Sequence, residues 1–282
     1  MGIRTLGIIG AGQMGSGIAQ VAACARIDVV ICDVAETQIE RAKKGIAKGF
    51  AKLVEKEKLS HDDEAEAISR ISYAQKLTAL ADCDLIVEAA TEDEAVKRKI
   101  FAELDTIAKP EAILSTNTSS ISITRLAAVT KRPERFIGLH FMNPVPLMKL
   151  VELIRGLETS DETFEVTRIT AERMGKSVVV SRDFPGFIVN RILIPMLNEA
   201  IYALHEGVAS AEDIDRAMVM GTNQPMGPLA LADFIGLDTV LAIGDVLYHG
   251  LGDSKYRPCP LLRQYVDAGR LGRKSGRGFF QY

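Results

Sequence analysis

The sequence has almost no net charge: 34 lysines and arginines stand against 37 aspartates and glutamates, a formal −3 with neutral histidine. Such a balance lacks the basic field that holds nucleic acid or an anionic membrane surface, so neither is an expected partner. No uncharged apolar run approaches the length of a membrane span. A charged segment followed by an apolar leader is also missing, because Ile3 to Gly10 already reads as a first strand; a cytoplasmic location is expected. Cysteine is scarce, and Cys24, Cys32, Cys83 and Cys259 lie too far apart for a CxxC pair or a zinc knuckle. Reduced, buried thiols are the expectation. With no second histidine or cysteine at ligand spacing from any of the four histidines, no metal is expected.

What is present is ordinary for a folded protein: 47% hydrophobic and 25% charged residues suffice for a sizeable core. A length of 282 residues suggests two unequal domains. The first half alternates short apolar runs with helix-period segments. Strand-like runs fall at Asp28 to Cys32, Leu85 to Glu88, Ala112 to Ser115, Phe136 to His140, Leu150 to Ile154 and Ser177 to Val180. They read as strands buried on both faces of a largely parallel, helix-covered sheet. After Asp183 the strand signal stops. Phe187 to Leu204, Ala211 to Met220, Leu229 to Leu247 and Leu261 to Ala268 are helical in period, punctuated by glycine and proline. Residues 1–183 are therefore expected to form an α/β domain. Residues 184–282 should form an all-α domain that serves dimerisation and completes the substrate site, in a homodimer or higher homo-oligomer.

Gly10-Ala11-Gly12-Gln13-Met14-Gly15 follows the first strand and opens a helix. The pattern alone is weak, but its context is that of a dinucleotide loop. Gly10 permits the tight turn, Gly12 lets the backbone approach a diphosphate, and Gly15 lets helix and strand pack closely. The N–H groups of Gln13 and Met14 then sit at the positive end of the helix. The second strand ends at Asp33, where a carboxylate would accept hydrogen bonds from the adenine ribose. It could instead cap the next helix. Asp33 is followed by Val34 and not by a cation, so NAD(H) is favoured over NADP(H), and the fold is Rossmann-type.

Between Glu36 and Lys58, Ile39, Ala42, Ile46, Phe50 and Leu53 form an apolar stripe, while Lys44, Lys48, Lys52 and Lys56 share the opposite face. On spacing alone a solvated helix face is the more ordinary reading; a polyphosphate-attracting stripe is the alternative.

Three segments bring polar groups to predicted strand ends: Ser115 to Ser120, Leu139 to Pro144, and Lys149 to Glu152. If the strands containing His140 and Glu152 are neighbours, a base with a pKa near working pH lies beside a carboxylate that fixes its tautomer. Ser119 and Asn190 could hydrogen-bond the reacting oxygen. Taken by itself, His140 is equally a structural histidine.

The glycine loop at 10–15, Ser-Thr-Asn-Thr-Ser-Ser at 115–120, Gly-Leu-His-Phe-Met-Asn-Pro-Val-Pro at 138–146, Lys-Leu-Val-Glu at 149–152, Pro-Gly-Phe-Ile-Val-Asn-Arg at 185–191, Pro-Met-Gly-Pro at 225–228 and the Leu-Gly-Arg-Lys-Ser-Gly-Arg-Gly-Phe run at 271–279 span essentially the whole chain. Together they resemble the L-3-hydroxyacyl-CoA dehydrogenase family, its short bacterial members in particular. The resemblance implies His140 as acid/base, Glu152 as its partner, and Ser119 and Asn190 as substrate-orienting groups. It places Glu92, Lys97, Asn117, Asn143 and Lys274 with the glycine loop around NAD(H), and Lys52 and Lys56 near the phosphates of an acyl-CoA such as acetoacetyl-CoA or 3-hydroxybutyryl-CoA. Two departures stand out. Phe141-Met142-Asn143 replaces the frequent Phe-Phe-Asn, and Gly49 occupies a position where some relatives carry a CoA-touching serine. A two-domain 3-hydroxyacid or 6-phosphogluconate type dehydrogenase is the alternative within enzymes, but those usually rely on a lysine. A non-catalytic NAD-binding protein would have no need of Ser119, His140, Glu152 and Asn190 together.

Overall fold

Short aliphatic runs supply eight strands of one sheet, and the amphipathic segments between them cover its faces. The computed structural model describes residues 2–282, which divide into two compact units, one ending at Phe184 and the other beginning at Pro185. In the first unit the order is β1 (Thr5–Ile9), α1 (Gln13–Cys24), β2 (Asp28–Cys32), α2 (Glu36–Glu55), α3 (His61–Ser69), β3 (Ile71–Ala74), β4 (Leu85–Glu88) and α4 (Glu94–Ile107). It continues with β5 (Ile113–Thr116), α5 (Ile123–Ala127), β6 (Phe136–Phe141), β7 (Leu150–Arg155), α6 (Asp161–Arg173) and β8 (Ser177–Arg182).

The strand order is β3-β2-β1-β4-β5-β6-β7-β8. Every neighbouring pair is parallel except β6 and β7, which run antiparallel. The chain direction across the sheet reverses between β1 and β4, so their carboxyl ends flank the crevice where open α/β sheets bind ligands. β1, β4, β5 and β6 are buried almost throughout, as their unbroken apolar runs require.

Two strands depart from the pattern. β3, with Ser72 and Tyr73 at its centre, is a half-buried edge strand whose short mixed run gives little periodic signal. β8 was expected to be doubly buried, yet Ser177, Val180 and Arg182 are exposed because β8 closes the other edge and pairs only with β7. Among the thiols, Cys32, Cys83 and Cys259 are buried while Cys24, at the end of α1, is exposed.

On α2 the apolar stripe does what its spacing demands: Ile39, Ala42, Ile46 and Phe50 are at most 3% exposed. Truncating Phe50 to alanine would cost about 3–5 kcal/mol in transfer and cavity terms. His61 to Glu66 lie largely on the surface of α3.

The second unit is helical: α7 (Val189–His205), α8 (Ala211–Thr222), α9 (Pro228–Ile235), α10 (Leu237–Leu251) and α11 (Pro260–Asp267). Leu197, Ile201, Leu229, Leu237, Val240 and Leu262 form its core. The run from Leu229 to Leu247 is two helices, not one. Gly236 separates them at φ +102°, a conformation that glycine alone adopts without strain.

Candidate active site

The glycine loop leaves β1 at the crevice, and its three glycines meet different surroundings. Gly10 has φ +100°, and a Cβ there would meet the Ala89 carbonyl oxygen at 2.6 Å. A Cβ on Gly15 would lie 1.9 Å from the Gly10 carbonyl oxygen. Both are therefore demanded by the fold itself. At Gly12 a Cβ would find nothing within 4 Å, so no protein contact explains the missing side chain. Gly12 is also the residue preceding α1, whose N-terminus no side chain caps and whose first turn holds no acidic residue. An anionic group can approach those amides without displacing protein atoms, and the loop fits a dinucleotide diphosphate on this ground.

Asp33 lies just past β2. Its Oδ2 accepts a 2.8 Å bond from Ala11 N–H, and its Oδ1 a 2.9 Å bond from Ala35 N–H. The carboxylate thus ties the loop to the end of β2. A carboxylate can take about four hydrogen bonds, so acceptor capacity remains for ribose hydroxyls. Val34 beside it is 89% exposed and brings no cation.

His140 on β6 pairs in register with Glu152 on β7, so both side chains stand on one face of the sheet. Glu152 Oε2 lies 2.7 Å from His140 Nδ1, with the histidine 6% and the glutamate 0% exposed. An ionised Glu152 can only accept, which places a proton on His140 Nδ1 and fixes the ring's tautomer. The antiparallel hairpin sets this pair within an otherwise parallel sheet.

A second polar cluster lies at the ends of β4 and β5. Glu88, fully buried at the end of β4, accepts from Lys97 Nζ at 2.7 and 2.8 Å, from Ala90 N–H at 2.7 Å and from Thr116 Oγ1 at 2.7 Å. Glu92 follows. Its Oε1 accepts from Thr118 Oγ1 at 2.6 Å and Ser119 N–H at 2.8 Å, while Lys97 Nζ lies 3.6 Å from its Oε2. The backbone of Ser119 is thereby held by a carboxylate that a buried ammonium steadies. Sequence reading missed Glu88. An acid closing the apolar run Leu85-Ile86-Val87, nine positions before a lysine, was the available signal.

The remaining residues fall in several places. Asn117 is buried and its Oδ1 accepts from Phe141 N–H at 2.9 Å, so its carboxamide braces β6 beside His140. Gly12, Gln13 and Asn143 line one cleft of about 390 Å³ together with Gln20 and Val145. Met14 opens α1 partly buried against the core. Lys52 and Lys56 are exposed at the end of α2. Gly49 faces Gln20, whose Oε1 lies 2.6 Å from where a Cβ would stand, so a side chain at 49 would require Gln20 to move. In the second unit, Asn190 stands in the first turn of α7 and the exposed Lys274 bonds Asp238 Oδ2 at 2.5 Å. Among the described residues no group of three or more His, Cys, Asp or Glu is placed to hold a metal. No described helix is long and apolar enough to cross a membrane.

Comparison with known proteins adds to this geometry. The profile of the 3-hydroxyacyl-CoA dehydrogenase NAD-binding domain matches residues 5–184, and that of the 3-hydroxyacyl-CoA dehydrogenase C-terminal domain matches residues 186–282. The chain is 60% identical to a 3-hydroxybutyryl-CoA dehydrogenase of Bradyrhizobium diazoefficiens, covering 99% of this chain and 96% of that one. It is 48% identical to one of Clostridioides difficile, covering 98% and 99%. A crystal structure of (S)-3-hydroxybutyryl-CoA dehydrogenase from Ralstonia eutropha superposes with a TM-score of 0.97 at 50% identity, covering 99% of each chain.

Proposed function

Because the chain belongs to the 3-hydroxyacyl-CoA dehydrogenase family, we propose that it interconverts (S)-3-hydroxybutyryl-CoA and acetoacetyl-CoA with NAD(H). The observation that carries this reading is the buried His140–Glu152 pair, 2.7 Å apart on adjoining strands. When bound, the nicotinamide supplies the hydride acceptor or donor. The chain's own part is to handle the proton. In oxidation Nε2 of His140 removes the proton of the 3-hydroxyl, and in reduction it returns one to the new alkoxide. Glu152 holds the ring by Nδ1 and stabilises the imidazolium that forms. Ser119 and Asn190 are assigned to orient the substrate oxygen, with the Ser119 backbone fixed by Glu92.

The dinucleotide is assigned to the Gly10–Gly15 loop and Asp33, with Asn117, Asn143, Glu92, Lys97 and Lys274 around it. Lys97 and Asn117 reach it indirectly, since one is bonded to Glu88 and the other to β6. Lys52 and Lys56 are assigned to the CoA phosphates. The domain boundary near residue 183 and a cytoplasmic location are part of the same proposal. So is assembly through the helical unit. There Ile192, Val208 and Met220 are each at least 67% exposed, an apolar set that a second copy of the chain would cover. Sedimentation of the wild type and of Met220→Glu tests the assembly.

The direct test of the activity is loss of NADH absorbance on adding acetoacetyl-CoA. An inactive protein that still binds NADH would leave the scaffold reading and remove the catalytic one.

A further inference from the structure

Lys176, between α6 and β8, is 7% exposed, and no carboxylate among the described residues pairs with it. A buried ammonium is costly unless its N–H groups find partners. Here they find two backbone carbonyls of the segment joining β6 to β7: Val145 O at 2.5 Å and Met148 O at 2.9 Å. Burial alone pushes the amine below its usual range, as expected for a cation compensated by dipoles and not by an anion.

The joined segment, residues 142–149, closes on itself through Leu147 and Met148 N–H, both bonding Pro144 O at 3.0 Å. Its middle presses on α1, because a Cβ on Gly17 would stand 2.8 Å from Val145 Cβ. One side of it, Asn143 to Pro146, lines the same cleft as Gly12 and Gln13. With both carbonyls turned inward, the segment cannot keep this shape unless a donor meets them. A methionine of similar length would fill the space and leave both oxygens unpaired.

We propose that Lys176 is a positioning residue for the cofactor side of the reaction: its ammonium anchors the β6–β7 loop and so keeps Asn143 in the cleft it shares with the glycine loop. The proposal rests on the assignment of Asn143 to NAD(H). The His140–Glu152 pair is set by strand register, so it does not depend on this anchor. A merely structural lysine would weaken every property alike. A loop anchor moves one Michaelis constant.

The test compares the wild type with Lys176→Met, Asn143→Ala and the double variant. Lys176→Met is expected to raise KM for NADH about tenfold, with kcat and the thioester KM changed by less than about twofold. In the double variant the two effects should fall short of additive, because both act through one contact. Amide exchange should quicken at residues 143–148 while β1 and β7 stay protected. Should Lys176→Met fail to fold, Lys176→Gln, whose amide can reach one carbonyl, is read by the same pair of measurements. Unchanged exchange at 143–148, or equal rises in both Michaelis constants, overturns the proposal. If Asn143→Ala alone leaves NADH binding intact while Lys176→Met frees the loop, the cofactor role of Asn143 falls and the anchoring stands.

Discussion

Lys97 places its ammonium against both oxygens of Glu88, at 2.7 and 2.8 Å, with neither side chain more than 1% exposed. Removing one partner of such a pair strands a charge in the interior, at a cost of about 3–5 kcal/mol. Lys97→Ala should therefore lower the unfolding free energy by that order, read from the shift of the urea midpoint, and Glu88→Gln combined with Lys97→Met should recover much of the loss. Equilibrium unfolding decides it. A Lys97→Ala protein of wild-type stability with weakened NADH binding would instead make this lysine a direct cofactor contact.

His140→Ala should retain NADH binding and lose about 10²- to 10⁴-fold in kcat, the usual worth of a positioned general base. Glu152→Gln keeps the shape beside Nδ1 and removes the negative charge, so it should fall less far than His140→Ala. Steady-state kinetics with acetoacetyl-CoA measure both. Wild-type kcat in His140→Ala would take the histidine out of the mechanism.

Much of this geometry is legible in the sequence. The glycine loop and Asp33 follow from strand ends, where parallel strands present their loops to one edge, whereas the meeting of His140 with Glu152 follows from the short loop that joins two consecutive strands into an antiparallel pair. The edge character of β8 was not legible, since Ser177-Val178-Val179-Val180 has the composition of a central strand and only topology exposes it. Nor was the service of Asn117 to Phe141 N–H, which depends on β5 and β6 being neighbours. Lys176 gave no sign at all. A lysine beside a glycine turn reads as solvent-exposed until the loop that buries it is in place.

Asp33 bonds the backbone at Ala11 and Ala35, so its loss disturbs the loop as well as any ribose contact. Asp33→Ala should weaken NADH and improve relative use of NADPH, because a 2′-phosphate no longer meets a carboxylate. The ratio of kcat/KM for the two dinucleotides is the measurement, and an unchanged ratio counts against the ribose role.

Burial pushes the Cys83 thiol up to about 12 and the Cys32 thiol to about 11. At pH 8 neither holds appreciable thiolate, the form that reacts. Alkylation followed by mass spectrometry should label Cys24 in the native protein, and Cys32, Cys83 and Cys259 only after denaturation. Rapid native labelling of Cys83 would contradict its burial.

Lys56 stands at the C-terminal cap of α2, exposed and without a salt bridge among the described residues, and Lys52 is one turn before it. Exposed cations of this kind act through a field that salt screens, with a Debye length falling from about 10 Å at 0.1 M to about 3 Å at 1 M. If they meet the CoA phosphates, Lys56→Ala should raise the thioester KM several-fold in dilute buffer and hardly at all near molar salt. The decisive control is acetoacetyl-pantetheine, which lacks the phosphates and should be indifferent both to the substitution and to salt. A KM increase of equal size for both thioesters would mean that Lys56 acts through the fold of α2. No change for either would leave the stripe as the solvated face of an amphipathic helix.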